Sequence, residues 1–409
     1  MPRSRSPRRD PRAIELLKPE VAKHVRHGHP FVWRAALRLP ADLQVGEVVE
    51  LRERGGRFVA RGTVDPSSPV AFRAWTLDPN EALDEALLVR RLEQAAALRR
   101  EVIAPDVTAY RLCHGENDRV PGLQCDLYIG EGSGTVAALR TDGALGIAWE
   151  ERFVAAVRRV TCCDAVVVRN PERDRGAARL VFGALPDELI VRERTRRFHV
   201  DVLRGQKTGL FLDQRDNRDR VGALAAGRRV LNLFCYTGGF SLAAAQGGAT
   251  IVRSVDIAAP AVDEARRNFE LNGIDPKPHV FEAADAFVLL GELARRPPAY
   301  DLCVLDPPAF APNESSLPDA RRAYLRLNEL ALRALPAGGW LATASCSSHL
   351  REAEFLAILG EAAQRARRAV TVAGVHGAAP DHPVRPGFPE GHYLKFVLLR
   401  IAEARSSRA

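Results

Sequence analysis

Asp306 stops an apolar run, YDLCVLDPPAF, and the two prolines after it set the turn without a backbone donor. A carboxylate held there either ends a strand and does nothing more, or accepts a hydrogen bond from a base or its exocyclic amine. A second apolar run, WLATASCSSHL, ends at Cys346 and is followed by Ser347, Ser348 and an expected helix. A lone strand cysteine is usually inert core. One at a strand's carboxyl end, with a helix N-terminus behind it to favour a thiolate, is a candidate nucleophile. Upstream, VLNLF leads into CYTGGFS, a glycine turn that lets a ligand approach the N–H groups of a helix start. Cys235, Tyr236 and Thr237 stand where a dinucleotide fingerprint has its first glycines, which argues against NAD. IVRSVD ends at Asp256, placed to accept from a ribose, and Asp285 in EAADAF closes the next strand, where a side chain meets an adenine edge. Each acid alone would equally serve as a helix N-cap. Their recurrence at successive strand ends points to an adenosine site.

These residues need a sheet to align them. From about residue 219 the chain alternates strand, glycine turn, helix and strand. The pattern continues through helices expected at 319–335 and 351–367. That rhythm predicts an α/β, doubly wound, Rossmann-like domain with its crevice at the carboxyl ends of the strands. Leu17 to about Pro79 reads as short strands, with a hairpin at Gly55–Gly56 in GEVVELRERGGRFVARGTV. Residues 80–100 have helical spacing, with Asn80 the expected N-cap, and 102–200 mix strands with a helix near 143–159. Residues 1–12, rich in Arg, Ser and Pro, have nothing to bury.

The chain of 409 residues is long enough for two or three domains, and its 46% hydrophobic and 27% charged residues exclude a disordered or fibrous class. Apolar runs stop well short of about 18 residues, so no membrane span is expected, and the basic N-terminus has no apolar core behind it, which argues against a secretory signal. Seven cysteines, an odd number without a CxxC pair, fit neither a disulfide framework nor a zinc cluster. No metal and a reducing cytoplasm are the expectation. The net charge of +8 suits a polyanionic partner such as nucleic acid. Only five of the 59 basic residues are lysines; the skew looks like coding bias, although Arg is also the better bidentate phosphate partner.

HPFVWRAA, GRFVARGTVDPSSPVAFR, ENDRVPGLQCDLY, GQKTGLFLDQRDNR, NLFCYTGGFSLAAAQGGA, LDPPAFA, SCSSH and DHPVRPGFPEGHYLKF together carry a resemblance. The chain resembles the ribosomal RNA large-subunit methyltransferase family that joins an N-terminal PUA domain to an S-adenosylmethionine-dependent domain and makes 5-methylcytosine. The resemblance implies a basic tail at 1–13, a PUA-like RNA-binding domain at 14–80, an α+β domain at 81–205 and the methyltransferase domain at 206–409. It implies that Cys346 adds to C6 of the base and that Asp306 binds the N3/N4 edge. Phe234, Tyr236, Gly238, Asp256 and Asp285 fall on cofactor-binding positions. Asp213, Gln214 and Arg215 match a segment that closes over the cofactor, and Lys207 is assigned to RNA. Ala309 stands where two-cysteine enzymes carry a second cysteine, which leaves the C5 base unassigned; His349 is a candidate that would equally face solvent or cap a helix. Cys235 is expected to pack, with Cys125, Cys162, Cys163 and Cys303 in the core. Large-subunit rRNA is the implied partner, and a homodimer a further implication without a visible self-complementary surface. Two rivals stand beside this reading: methylation of a base nitrogen with Cys346 idle, and a non-catalytic RNA-binding assembly factor.

Overall fold

The computed structural model describes residues 11–173, 176–311 and 314–402. Strands β1 (Arg12–Leu16), β2 (Phe31–Trp33), β3 (Leu37–Arg38), β4 (Val48–Glu53), β5 (Phe58–Val64) and β6 (Val70–Thr76) form one sheet in the order β2-β6-β5-β4-β1-β3. The expected hairpin is β4–β5, turning through Gly55 and Gly56 at positive φ. β1 begins inside the stretch read as tail, and residues 1–10 lie outside the described residues. Helix α1 (Pro19–Arg26), absent from the sequence reading, buries Ala22 and Val25 in this sheet's core.

Helix α2 (Glu85–Val102) starts later than its periodicity suggested. Asp84, not Asn80, is the N-cap, accepting from Leu87 N–H at 3.0 Å. Strands β7 (Ala109–His114), β8 (Leu123–Gly130), β9 (Gly134–Thr141), β10 (Ala165–Arg169) and β11 (Ala178–Gly183) form a second sheet. Its core packs Leu88 and Leu92 of α2 with Trp149, Phe153 and Val157 of α3 (Gly143–Thr161). Of the cysteines expected in the core, Cys125, Cys163 and Cys303 are buried, but Cys162 is exposed. It sits at the left-handed C-cap of α3, where the chain turns outward.

A short ribbon, β12 (Ile190–Glu193) and β13 (Arg196–His199), leads through α4 (Arg215–Leu224) to the third sheet. This contains β14 (Arg229–Leu233), β15 (Ile251–Asp256), β16 (Val280–Ala283), β17 (Leu302–Leu305), β18 (Trp340–Ser345), β19 (Val370–His376) and β20 (Lys395–Ile401), in the order β16-β15-β14-β17-β18-β20-β19. The first five are parallel; β20 enters antiparallel between β18 and β19, which the sequence did not predict. Side chains alternate along β14. Val230 joins a core with Leu242 of α5 (Gly239–Gln246) and Phe269 of α6 (Ala259–Leu271), while Leu231 and Leu233 join one with Leu290 of α7 (Ala286–Leu293), Tyr324 of α8 (Leu317–Ala334) and Phe355 of α9 (Glu352–Ala366). Strand order reverses between β14 and β17, opening a crevice at their carboxyl ends.

A strap, residues 377–394, runs from β19 to β20 over the other two sheets. Asp381 accepts from Arg111 N–H at 2.9 Å, Arg99 donates to the Asp381 carbonyl at 2.7 Å, and Phe388 meets Phe31 edge-on at 5.1 Å. Among the described residues no helix is long and apolar enough to cross a membrane.

Candidate active site

After β14 the backbone is left-handed at Phe234 (φ 59°), Tyr236 (φ 48°) and Gly238 (φ 80°). Such conformations cost about 1–3 kcal/mol for a residue with a Cβ, so the loop persists only because its surroundings hold it. At Gly238 a Cβ would lie 2.7 Å from the Ala265 Cβ on α6, so glycine is required there. Asp256, at the end of β15, accepts Tyr236 N–H at 2.9 Å and Ala258 N–H at 3.0 Å, one on each oxygen, leaving lone pairs for a hydroxyl. Tyr236 faces the next segment: its phenol oxygen accepts Gln206 N–H at 2.9 Å and donates to the Gly209 carbonyl at 3.1 Å. Asp285 lies two residues beyond β16, exposed, where one oxygen caps α7 through Phe287 and Val288 N–H. The capping role weighed for it is therefore present.

Lys207 (φ 50°) places Nζ 3.0 Å from Asp213 Oδ2 and 4.2 Å from the Phe211 ring centre. Tyr393 donates to the same Asp213 oxygen at 2.6 Å. Burial opposes charge on Asp213, but Lys207, His382 and Tyr393 outweigh it and hold the carboxyl well below its usual range. Its Oδ1 is buried with no hydrogen-bond partner among the described residues. Gln214 does not open onto the crevice as a free contact; its Nε2 donates to Asp306 Oδ1 at 2.9 Å, and Asn217 holds its carbonyl at 2.7 Å. Arg215 corrects the expectation of a cofactor contact. Its guanidinium is buried against Asp381 at 2.8 and 3.2 Å, so it ties the strap to the domain. The second sheet braces this segment too, since Thr208 donates to Asp126, itself paired with Arg111.

Asp306 follows β17. Burial, reinforced by the Asp213 charge, pushes its carboxyl up to about 7, against Lys207 and the Gln214 hydrogen bond. Cys346 follows β18 and is half-buried. Contrary to the expected thiolate, burial pushes its thiol up to about 11; Lys207 and Lys395 oppose that shift, Asp306 and Asp213 add to it. The physical reason is placement. Helix α9 begins only at Glu352, and a helix end acts within about its first turn. Two flanking serines are locked, Ser345 and Ser347 each meeting the Tyr324 phenol, at 3.1 and 3.2 Å.

Sequence reasoning missed Lys395 and Tyr393. Lys395 opens β20 opposite Ser345, is only 1% exposed, and donates to the carbonyls of Ser347 at 2.6 Å and Tyr393 at 2.7 Å. No carboxylate lies within ion-pair distance of it among the described residues. Burial pushes its ammonium down to about 8. Their only sequence signal was the HYLKF run, polar residues entering an apolar strand. His349 is exposed beyond this locked turn.

The donor set fits S-adenosylmethionine. A cofactor cationic at its sulfur and amine would meet Asp213, with its orphaned buried oxygen, and Asp256 would take the ribose beside the Gly238 cradle.

Residues 144–383 match the family described as S-adenosylmethionine-dependent methyltransferase, and residues 16–77 match PUA-like domains. The chain is 38% identical over 386 residues to ribosomal RNA large subunit methyltransferase I of Photobacterium profundum, covering 91% of this chain and 95% of that protein. It is 37% identical over 394 residues to the protein of the same name from Tolumonas auensis, covering 94% and 98%. Among solved structures, a SAM-dependent methyltransferase from Streptococcus mutans superposes with a TM-score of 0.83 at 22% identity, over 95% of this chain and all of that one. A methyltransferase complexed with SAH gives 0.82 at 23% identity, over 95% and 99%. The last two show a shared fold.

Proposed function

The chain belongs to the S-adenosylmethionine-dependent methyltransferase family matched over residues 144–383, and from that premise we propose that it methylates C5 of a cytosine in large-subunit ribosomal RNA, with Cys346 as nucleophile. One observation carries the reading: Asp306 and Cys346 leave adjacent parallel strands, β17 and β18, at the crevice end, with Lys207 close enough to act on both charges. The names of the two bacterial relatives support the RNA substrate.

C5 of cytosine is a poor nucleophile, and addition of a thiolate at C6 makes it enamine-like. Cys346 must first lose its proton, and Lys207 and Lys395 are the cations that favour this. Asp306, titrating near 7, is protonated often enough at neutral pH to donate to N3 as the sulfur adds. Gln214 keeps that carboxyl aimed. S-adenosylmethionine supplies an electrophilic methyl group when bound. Once C5 carries the methyl group, its proton passes to solvent water, the N3 proton returns to Asp306, and the re-formed C5–C6 double bond expels the Cys346 sulfur as thiolate. Phe234, Tyr236, Gly238 and Asp256 shape the cofactor cradle, and Asp285 stands at its outer edge. A base within paired RNA would have to be flipped out to reach Cys346, at a cost of a few kcal/mol. We assign RNA grip to the 14–80 module, methyl transfer to 206–409 and support of the Lys207 segment to 81–205, in an enzyme of the cytoplasm. Sedimentation at micromolar concentration tests the homodimer.

RNA substituted with 5-fluorocytosine tests the chemistry, because fluorine at C5 cannot leave as a proton. A complex that survives denaturation and disappears in Cys346→Ala is expected. Methyl transfer without any such complex would instead indicate nitrogen chemistry. Absence of transfer from labelled cofactor would leave an assembly factor.

A further inference from the structure

Three arginines from three segments stand near the seam where the first sheet, the second sheet and the strap adjoin, close enough to act on one another's charge. Arg91, on α2, is nine-tenths buried; it pairs with Glu81 at 3.1 Å, but its Nε is buried without a partner among the described residues. Arg119 closes the turn Gly115–Asp118 with φ 61°, exposed, and no carboxylate among the described residues lies within ion-pair distance. Arg385, on the strap, is set against the same turn: its N–H donates to Asn117 Oδ1 at 3.0 Å and its Nη1 to the Glu116 carbonyl at 3.2 Å, again with no carboxylate partner among the described residues. Neighbouring acids are already engaged, Glu116 by Arg73 at 2.7 Å and Asp118 by Arg99 at 2.6 Å. Burial, then Arg119 and Arg91, hold the Arg385 guanidinium below its ordinary value. Like charges brought together with spare donors leave free energy for a bound anion to recover.

We propose that Arg91, Arg119 and Arg385 form a phosphate site that grips the RNA backbone beside the crevice. The inference rests on the RNA reading above and adds a place to it. Arg385 stands four positions after Asp381, at most about 14 Å of extended chain. Asp381 in turn grips Arg215, the neighbour of the Gln214 that holds Asp306. The strap thus joins the seam to the segment that holds Asp306.

Binding of a large-subunit rRNA transcript is measured by filter retention between about 50 and about 200 mM salt, for the full-length protein, Arg119→Gln and Arg119→Gln/Arg385→Gln. The single variant is expected to weaken binding several-fold and to lower the slope of log K against log salt by about one, the double by about two. Calorimetric SAH affinity stays at the wild-type value, and KM for RNA rises more than kcat falls. Arg119 is exposed, so its variant reports on contact even if the double variant melts early. Wild-type affinity and slope in Arg119→Gln would overturn the site, as would a defect limited to binding a protein or a second copy. If the wild-type protein itself neither binds nor methylates the transcript, the functional reading fails first.

Discussion

Burial at the end of β18 pushes the Cys346 thiol up to about 11. Removing the sulfur from water costs more than the charges of Lys207 and Lys395 offset, so the free protein holds little thiolate at neutral pH. With a midpoint near 11, the thiolate fraction grows about tenfold per pH unit below it. Alkylation of the Cys346 peptide by iodoacetamide is therefore expected to climb steadily from pH 7 to pH 10. A plateau below pH 8 would show that the pocket favours thiolate after all. Peptide-level mass spectrometry is needed because Cys162 is more exposed than Cys346. Two variants should move the reaction in opposite directions. Asp306→Asn removes a carboxylate that is largely charged above pH 7 and raises the thiol, so alkylation at pH 8 accelerates several-fold. Lys395→Met removes a cation and slows it by a similar factor; an unchanged rate would reduce Lys395 to packing the Ser347 and Tyr393 carbonyls.

Among the elements, the strap carries the most consequence, since its ends feed the site while its middle binds the other two sheets. Asp381 anchors it. Burial disfavours the charged carboxyl, but His382 and Arg215 outweigh burial and hold it well below the usual range. A carboxylate lowered by folding contributes stability above its unfolded value of about 3.9, and that contribution is lost as pH falls. Asp381→Asn leaves buried Arg215 with only the longer Asp216 contact, at 3.7 Å, as counter-charge, and breaking such a pair costs about 3–5 kcal/mol. Urea titrations at pH 7 and pH 3 check both points: a large loss at pH 7, and a smaller difference from wild type at pH 3, below the unfolded value. A loss under about 1 kcal/mol at pH 7 would mean that the strap is held elsewhere. The sequence reading ended at the helix before β19 and named neither β19 nor β20, and the antiparallel entry of β20 depends on where the strap can land.

Across the whole molecule, modules are locked by single large side chains at their borders. Trp149 of α3 donates from its indole N–H to the Gly46 carbonyl at 2.9 Å and packs on Trp75 with ring centres 5.0 Å apart, joining the second sheet to the first. Trp149→Ala is expected to cost about 3–5 kcal/mol. If RNA is held across that border, KM for RNA rises while SAH affinity is unchanged. Denaturation and calorimetry together check this, and a parallel loss of SAH affinity would mean that the damage spreads to the crevice.

What the residues alone determined is local: apolar runs ended by Asp256, Asp306 and Cys346, and a glycine turn ahead of a helix. Strand period and turn chemistry act over a few residues, so the strand ends and the residues that stand at them could be read directly. Only the tertiary structure decided that Arg215 turns to Asp381, that Asp285 caps α7, that Tyr393 arrives from the end of the strap and Lys395 from the start of the last strand, and that burial raises the Cys346 thiol. Those outcomes depend on which distant segments pack together and how much water they exclude, and neither quantity is a property of any short stretch of chain.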